Sequence, residues 1–354
     1  MSTRVYGSLA RIADFHDSNF EITDLPRSEW ATGDYVEGVV IGTPTTLYRM
    51  EDRAGHMVKV EPGDWVVGAF GDRAATLEGV GSWRDVGDNG EMHALTAAGL
   101  MGCYTSFSRL LVDPLKLKYR GHLCRGDEKV RMQEFAMHCG GDAFSVPTIL
   151  LVGTSMSAGK TTTGRRVCKE LDRAGLNVVG AKLTGAGRYR DILSFLKTGA
   201  SRIFDFVDAG LPSTVVPEDE YRAAIRPLLR CINELEPDFL VVEAGASPLE
   251  PYNGDALVDE LGDNIVCTIL CASDPYAVVG VEKAFGLRPD LVTGPATQTS
   301  AAVELVWKLS GLRGINIIDP AAKQRFHNFL EDKLGLKPNE NCPVTSTGQK
   351  VADR

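Results

Sequence analysis

The sequence predicts an α/β fold: a parallel sheet with helices on both faces, preceded by a smaller, mostly-β domain. Three observations carry the prediction. From Thr148 onward, short runs that are apolar throughout alternate with amphipathic segments, the pattern of strands buried on both faces beneath covering helices. Before about residue 135, Gly, Pro, Asp or Asn breaks the chain roughly every 8 to 12 positions, as in a compact β unit or small barrel. Between the two, His138 to Pro147 carries paired glycines and a proline and reads as a linker. The expected organisation is a mostly-β accessory domain over 1–137, a linker over 138–147, an α/β domain over 148–335 and a flexible tail over 336–354.

In the first part, Tyr35 to Ile41, Trp65 to Phe70 and Leu115 to Tyr119 are β-prone runs bounded by turn signals such as Gly33-Asp34 and Pro62-Gly63-Asp64. One helical segment is expected near Met92 to Leu100. In the second part, strands are expected at Thr148 to Val152, Asn177 to Lys182, Thr214 to Val216, Phe239 to Glu243, Ile265 to Leu270, Asp290 to Thr293 and Ile315 to Ile318. Helices fall between them at about 160–174, 190–199, 218–235, 275–286, 299–310 and 320–334. From Lys337 the chain is polar and carries prolines, as a mobile tail does.

Composition narrows the classes of function. A chain of 354 residues holds roughly two domains at about 150 residues each. With 47 acids against 38 bases its formal charge is -9, which argues against a broad surface for nucleic acid or anionic lipid. A small-molecule substrate is the expected partner, and a homodimer stays open. The eight cysteines include no CxxC pair, which suits reduced thiols in a cytosol. The start has no apolar leader-like region, and the longest apolar runs, Thr148 to Gly153 and Ile265 to Ala272, are too short to span a bilayer. The expectation is a soluble, cytoplasmic protein.

The most specific signal is Gly153-Thr154-Ser155-Met156-Ser157-Ala158-Gly159-Lys160-Thr161-Thr162, which follows a strand directly and opens a helix. A polyphosphate needs many donors at close range with no side chain in the way. Small residues let backbone N–H groups curl round the anion, and the helix N-terminus adds partial positive charge. In that setting Lys160 neutralises the β- and γ-phosphates, and the Thr161 hydroxyl holds Mg2+. Gly164, one turn on, lets the helix pack closely against the sheet.

The spacing is G-x5-GKT instead of the usual G-x4-GK[ST]. It resembles the GTDTxxGKT loop of dethiobiotin synthetase and the related cobyrinic-acid amide synthetases, a branch of P-loop NTPases that also includes MinD. The match lies in Gly153, Thr154, Gly159, Lys160 and Thr161. Further on, Ala181-Lys182-Leu183-Thr184-Gly185 resembles the KPxxTG segment that places a substrate-contacting lysine beside the γ-phosphate. Phe239-Leu-Val-Val-Glu243-Ala-Gly245-Ala resembles LVEGAGG, whose glutamate is a magnesium ligand. The resemblance covers about 146 to 318. It implies ATP and Mg2+ as cofactors, Lys160 and Lys182 as catalytic residues, and Thr161 and Glu243 at the metal.

The residues support those roles independently. A carboxylate at the carboxyl end of a buried strand beside the phosphate-loop strand faces the crevice where ligands bind in open α/β sheets, although it also suits a simple cap on the next turn. Asp191 resembles the NSDAxxL aspartate that shares the magnesium, and is ranked first as the second acid. Asp208 is ranked next, with Asp205 as a competitor. Arg188 and Arg190 either hold a carboxylate or phosphate or are plain helix-start charges. Ser155 and Ser157 replace acids of the dethiobiotin synthetase loop, which leaves the substrate open. Ser155 also stands where MinD-type switches carry their signature lysine. No NKxD follows Leu291 to Thr293, so adenine is the default base.

Other constellations are weaker. His122, Cys124, His138 and Cys139 fit no standard zinc spacing. Cys168, Cys267 and Cys271 read as core residues, Trp65 and Trp83 likewise, and Pro62 to Arg73 is either a ligand-binding edge or a barrel hairpin. The leading functional expectation is an ATP-dependent ligase or phosphotransferase activating a small carboxylate or carbamate. The alternatives are a nucleotide-switched NTPase acting on a protein partner, and an enzyme resembling P-loop D-amino-acid N-acetyltransferases whose loop holds the phosphates of acetyl-CoA.

Overall fold

The computed structural model describes residues 2–336 apart from 46–47, 246 and 248–249, so the expected tail from Lys337 onward lies outside the described residues. Its first half closes into a five-stranded barrel. The strands are β1 (Tyr35–Val40), β2 (Trp65–Phe70), β3 (Glu91–Ala94), β4 (Leu100–Phe107) and β5 (Lys116–Arg125). β1 pairs antiparallel with β2 and β5, β5 with β3, and β3 with β4. The ring closes where β4 meets β2 in parallel, Leu100 against Ala69 and Met101 against Phe70. Closure removes the exposed strand edges that an open small sheet would present.

Period-two alternation explains how these strands bury both faces. Val36, Val66, Phe70, Met92 and Met101 fill the barrel. Their neighbours Tyr35, Val67, Ala69 and Leu100 join the core shared with the second half. On β5 the two inward sets have the same parity, Leu117 in one core and Leu123 in the other. The register shift between Tyr119 and Gly121 accounts for it, since one extra residue flips all that follow.

The helix expected near Met92 to Leu100 is not formed. That stretch is β3, a tight turn and the start of β4, with Leu95 N donating to Leu100 O at 2.7 Å and Gly99 N to Thr96 O at 3.2 Å. Its apolar residues alternate strand-fashion: Met92 and Ala94 are buried, and His93 between them is half-buried.

The second half is a six-stranded, wholly parallel sheet. Its strands are β6 (Thr148–Gly153), β7 (Val178–Thr184), β8 (Arg202–Asp205), β9 (Phe239–Ala244), β10 (Ile265–Cys271) and β11 (Leu291–Thr293). Their order is β8-β7-β9-β6-β10-β11. The helices are α1 (Lys160–Arg173), α2 (Tyr189–Leu196), α3 (Glu218–Asn233), α4 (Gly254–Leu261), α5 (Pro275–Phe285), α6 (Ser300–Ser310) and α7 (Lys323–Leu334). Leu150, Val152, Val179 and Val242 face α3, α4 and the barrel. Ile149, Leu151, Val178 and Val241 face α1, α2 and α7.

Two expected strands are corrected. Thr214 to Val216 is a loop, and the edge strand is β8; Thr214 Oγ1 accepts from Gly185 N and donates to Tyr252 O instead of joining a ladder. Ile315 to Ile318 contributes one bond at the far edge, Ile315 N to Val292 O, before turning away. The expectation of reduced thiols is corrected for one pair: Cys139 is disulfide-bonded to Cys231, which fastens the 138–147 connection to α3. Ser145 N and Oγ add bonds from the same connection to Asn233 Oδ1. No helix among the described residues is long and apolar enough to cross a membrane.

Candidate functional site

β6 ends at Gly153, and the loop that follows enters α1 at Lys160 through Gly159 in the left-handed region, φ 99°. A side chain at Gly159 would strain that turn. The amides of Met156, Ser157, Gly159 and Lys160 have no acceptor among the described residues, so the loop presents unpaired donors. The Lys160 ammonium is buried and donates to Ser155 O at 2.7 Å. Burial pulls its pKa below the ordinary lysine value, while Glu243 opposes the shift. A bound anion would restore what burial removes.

Strand register brings the other residues to the same place. Leu151 on β6 and Lys182 on β7 both sit opposite Glu243 on β9. Thr161 Oγ1 donates to Glu243 Oε2 at 3.0 Å. Lys182 Nζ donates to Asp191 Oδ2 at 3.0 Å and stands 3.7 Å from Glu243 Oε1. Burial works against charge on Lys182, but Asp191, Glu243 and Asp205 outweigh it, so the group is held protonated well above the usual lysine range.

Asp208, the second-ranked metal acid, is not brought to this cluster: its Oδ1 is ion-paired with Arg11 at 2.9 Å, and Arg11 also holds Asp205 Oδ1 at 2.6 Å. Cys271 lies at the end of β10 with its thiol pushed by burial up to about 11, so it is no thiolate nucleophile at neutral pH. Gly164 packs against Phe195 of α2, where a Cβ would come within 2.0 Å of Cζ, so its close neighbour is a helix and not the sheet.

The cluster opens into a cleft of about 790 Å³ between the two halves. That is ample for a nucleotide-sized ligand. The wall opposite the loop comes from the barrel half, which sequence reasoning left without a role. Arg73 lies there, held by Leu95 O at 2.5 Å, Tyr104 Oη at 2.7 Å and the Glu78 carboxylate. It ends the Pro62 to Arg73 segment whose turn-rich pattern was the one signal pointing to it. Arg188 and Arg190 are exposed along the same cleft. His122 and Cys139 are drawn elsewhere, His122 to Asp34 and Tyr119 and Cys139 into its disulfide. Among the described residues no group of three or more His, Cys, Asp or Glu is placed to hold a metal ion. Trp65 is half-buried between the guanidinium groups of Arg4 and Arg120, and Trp83 stacks on Phe70.

A parallel sheet whose central strand runs through a glycine-bounded loop into a helix, with a lysine and a threonine at the helix start, defines this half as a P-loop NTPase-like domain. Residues 137–286 match the family model described as "Domain of unknown function (DUF1611_C) P-loop domain". No curated protein matches the chain. Solved structures similar to part of the chain include a DUF1611 family protein from Anabaena variabilis, at 14% identity and a TM-score of 0.36, covering 56% of this chain and 62% of that one. Chloroplast FtsY from Physcomitrella patens is 16% identical with a TM-score of 0.36, over 56% of this chain and 70% of that one. The hydrogenase maturation factor HypB from Archaeoglobus fulgidus is 13% identical with a TM-score of 0.36, over 54% and 91%. The finer likeness to the dethiobiotin synthetase branch rests on the motif residues alone.

Proposed function

We propose that the cleft binds magnesium ATP and that the protein uses it to activate a small carboxylate or carbamate, as a ligase or phosphotransferase. The observation that carries this reading is the meeting of Lys160, Thr161, Lys182 and Glu243 at the carboxyl ends of three adjacent parallel strands. The Thr161 and Glu243 oxygens are 3.0 Å apart. Two oxygens in adjacent positions on an octahedral Mg2+, each at about 2.1 Å, lie about 3 Å from one another, so the pair fits the ion. The ion would supply charge neutralisation for the phosphates.

The chain's own residues then divide the work. The loop amides and Lys160 would hold the β- and γ-phosphates, and Lys182, kept protonated by its carboxylates, would add positive charge beside them. Arg188 and Arg190 line the route by which an anionic acceptor would enter. Catalysis in such a site is mainly positioning and electrostatic stabilisation of the transferring group. Lys160→Ala is expected to lower magnesium ATP affinity by about 100-fold or more in titration calorimetry, a loss in keeping with removing a charge-assisted contact from a buried site. Unchanged affinity would overturn the reading.

A second reading is supported by apolar side chains that also line the cleft, Tyr48, Met57, Phe107, Leu111, Val112 and Pro114. Apolar lining in the same cleft as a phosphate loop suits the pantetheine chain of acetyl-CoA, with the loop holding its phosphates. Thermal shifts with ATP and with acetyl-CoA, each with and without Mg2+, separate the two, because a ligand of the folded state raises the melting temperature by mass action. Stabilisation by acetyl-CoA alone favours the acyl-transfer reading.

A further inference from the structure

α2 has no cap of its own. It begins at Tyr189 after Arg188, whose side chain makes no capping bond, and the first amides of a helix have no partner within it. The partner comes from the barrel half. A hairpin of Met50–Glu51 and Met57–Val58 lies across the helix start. Its turn holds Gly55 at φ 83°, where a Cβ would stand 2.4 Å from Leu193 Cδ1. The positive φ favours glycine at this turn, which packs against the Leu193 side chain.

Glu51 is fully buried at this contact. Its Oε2 accepts from Tyr189 N at 2.7 Å and its Oε1 from Arg190 N at 2.9 Å, while Ser8 Oγ donates to Oε2 at 2.5 Å. Arg11, close by in sequence to Ser8, lays its guanidinium 4.4 Å from the Tyr189 ring centroid. Asp191 follows directly in the same helical turn, and it is the acceptor for Lys182.

We propose that Glu51 is a positioning residue for the phosphate-loop site: by capping α2 across the seam it holds Asp191 against Lys182. The consequence follows from the distances. Lys182 stands between two carboxylates, and if Asp191 withdraws, Glu243 at 3.7 Å is the acceptor that remains. A lysine drawn to Glu243 competes with whatever cation that carboxylate and Thr161 would hold. The barrel half thereby sets the readiness of the loop half. Only this last consequence rests on the nucleotide reading above.

The test compares wild type, Glu51→Gln, Glu51→Asp, Asp191→Asn and the double variant Glu51→Gln/Asp191→Asn in the full-length protein. The ligand-free readout is the acylation rate of Lys182 by an amine-reactive ester, followed by mass spectrometry and normalised to exposed Lys169. Loss of the cap is expected to raise that rate about fivefold or more, in line with the stability a cap contributes. Glu51→Asp, which keeps the charge but not the reach, moves in the same direction and serves if the glutamine variant does not fold. In the Asp191→Asn background, Glu51→Gln adds nothing, because the partner it positions is gone. An unchanged rate in the single variants, or an equal increase in both backgrounds, overturns the proposal. A second arm measures magnesium ATP binding by calorimetry, with a loss of about tenfold expected for Glu51→Gln, again the scale of a lost cap. Wild type that binds no magnesium ATP would overturn the nucleotide reading and leave Glu51 to be judged by the acylation rates.

Discussion

Two cations shielded from solvent are defined by the carboxylates they meet. Lys182 has Asp191 and Glu243; Arg11 has Asp205 and Asp208. The second group has a consequence for stability. Burial drives the Asp208 carboxyl up from the usual range to about 6, with Asp205 adding to the rise and Arg11 opposing it. A carboxyl that holds its proton more tightly in the folded state than in the unfolded one favours folding at low pH, and that contribution is lost as pH rises through the folded value. The stability of wild type relative to Asp208→Asn is therefore expected to fall between about pH 4 and about pH 7 and to level off above, as read from urea midpoints. The residues of the loop cluster were legible because a phosphate loop and the ends of buried strands leave few choices of residue type. Arg11 and Glu51 were not. Their partners lie 194 and 138 positions away, and no local pattern marks a residue for such a contact.

Among the elements, α1 and α2 show how tightly the site is built. Gly164 on α1 faces the ring of Phe195, which is fully buried. Gly164→Ala is expected to destabilise the protein by about 1–3 kcal/mol, the usual range for overpacking a filled core, and to lower the denaturant midpoint. The sequence marked this glycine as a place of close approach without revealing what approaches. Elements with strong periodicity were read closely: the strands β6, β7, β9 and β10, and the helices α1 and α3. The misreadings fall on short elements. β8 has only four residues and begins with an exposed Arg202, so it offers little apolar signal. α4 follows a run rich in Pro, Tyr, Asn and Gly that hides its start. The turn between β3 and β4, with the first residue of β4, brings Leu95, Ala97, Ala98 and Leu100 close together in sequence, which imitates a helical face.

For the whole molecule, the connection between the two halves is itself fastened to the second half. Cys139 and Cys231 close a loop of 92 positions. A crosslink over a loop of that size, by limiting the unfolded chain, contributes about 2–5 kcal/mol. Cys231→Ser is expected to lose that amount in urea unfolding, and reductant is expected to lower wild type towards the variant while leaving the variant unchanged. No spacing rule joins two cysteines so far apart, so the pair was beyond the reach of the sequence alone.

The shared core also sets an order of events during synthesis. All five barrel strands precede residue 126, so the ring can close before the parallel sheet has left the ribosome. One face of that ring, with Tyr35, Val67 and Leu100, belongs to a core that takes in residues still to be made, among them Val152 and Leu183, beside barrel-half residues such as Leu9 and Phe15. Until they emerge, the nascent barrel carries a greasy wall that its own first residues cover only in part. A genetic cut near the connection would leave part of that core uncovered in both fragments, so the boundary visible in the sequence is also a seam of shared core.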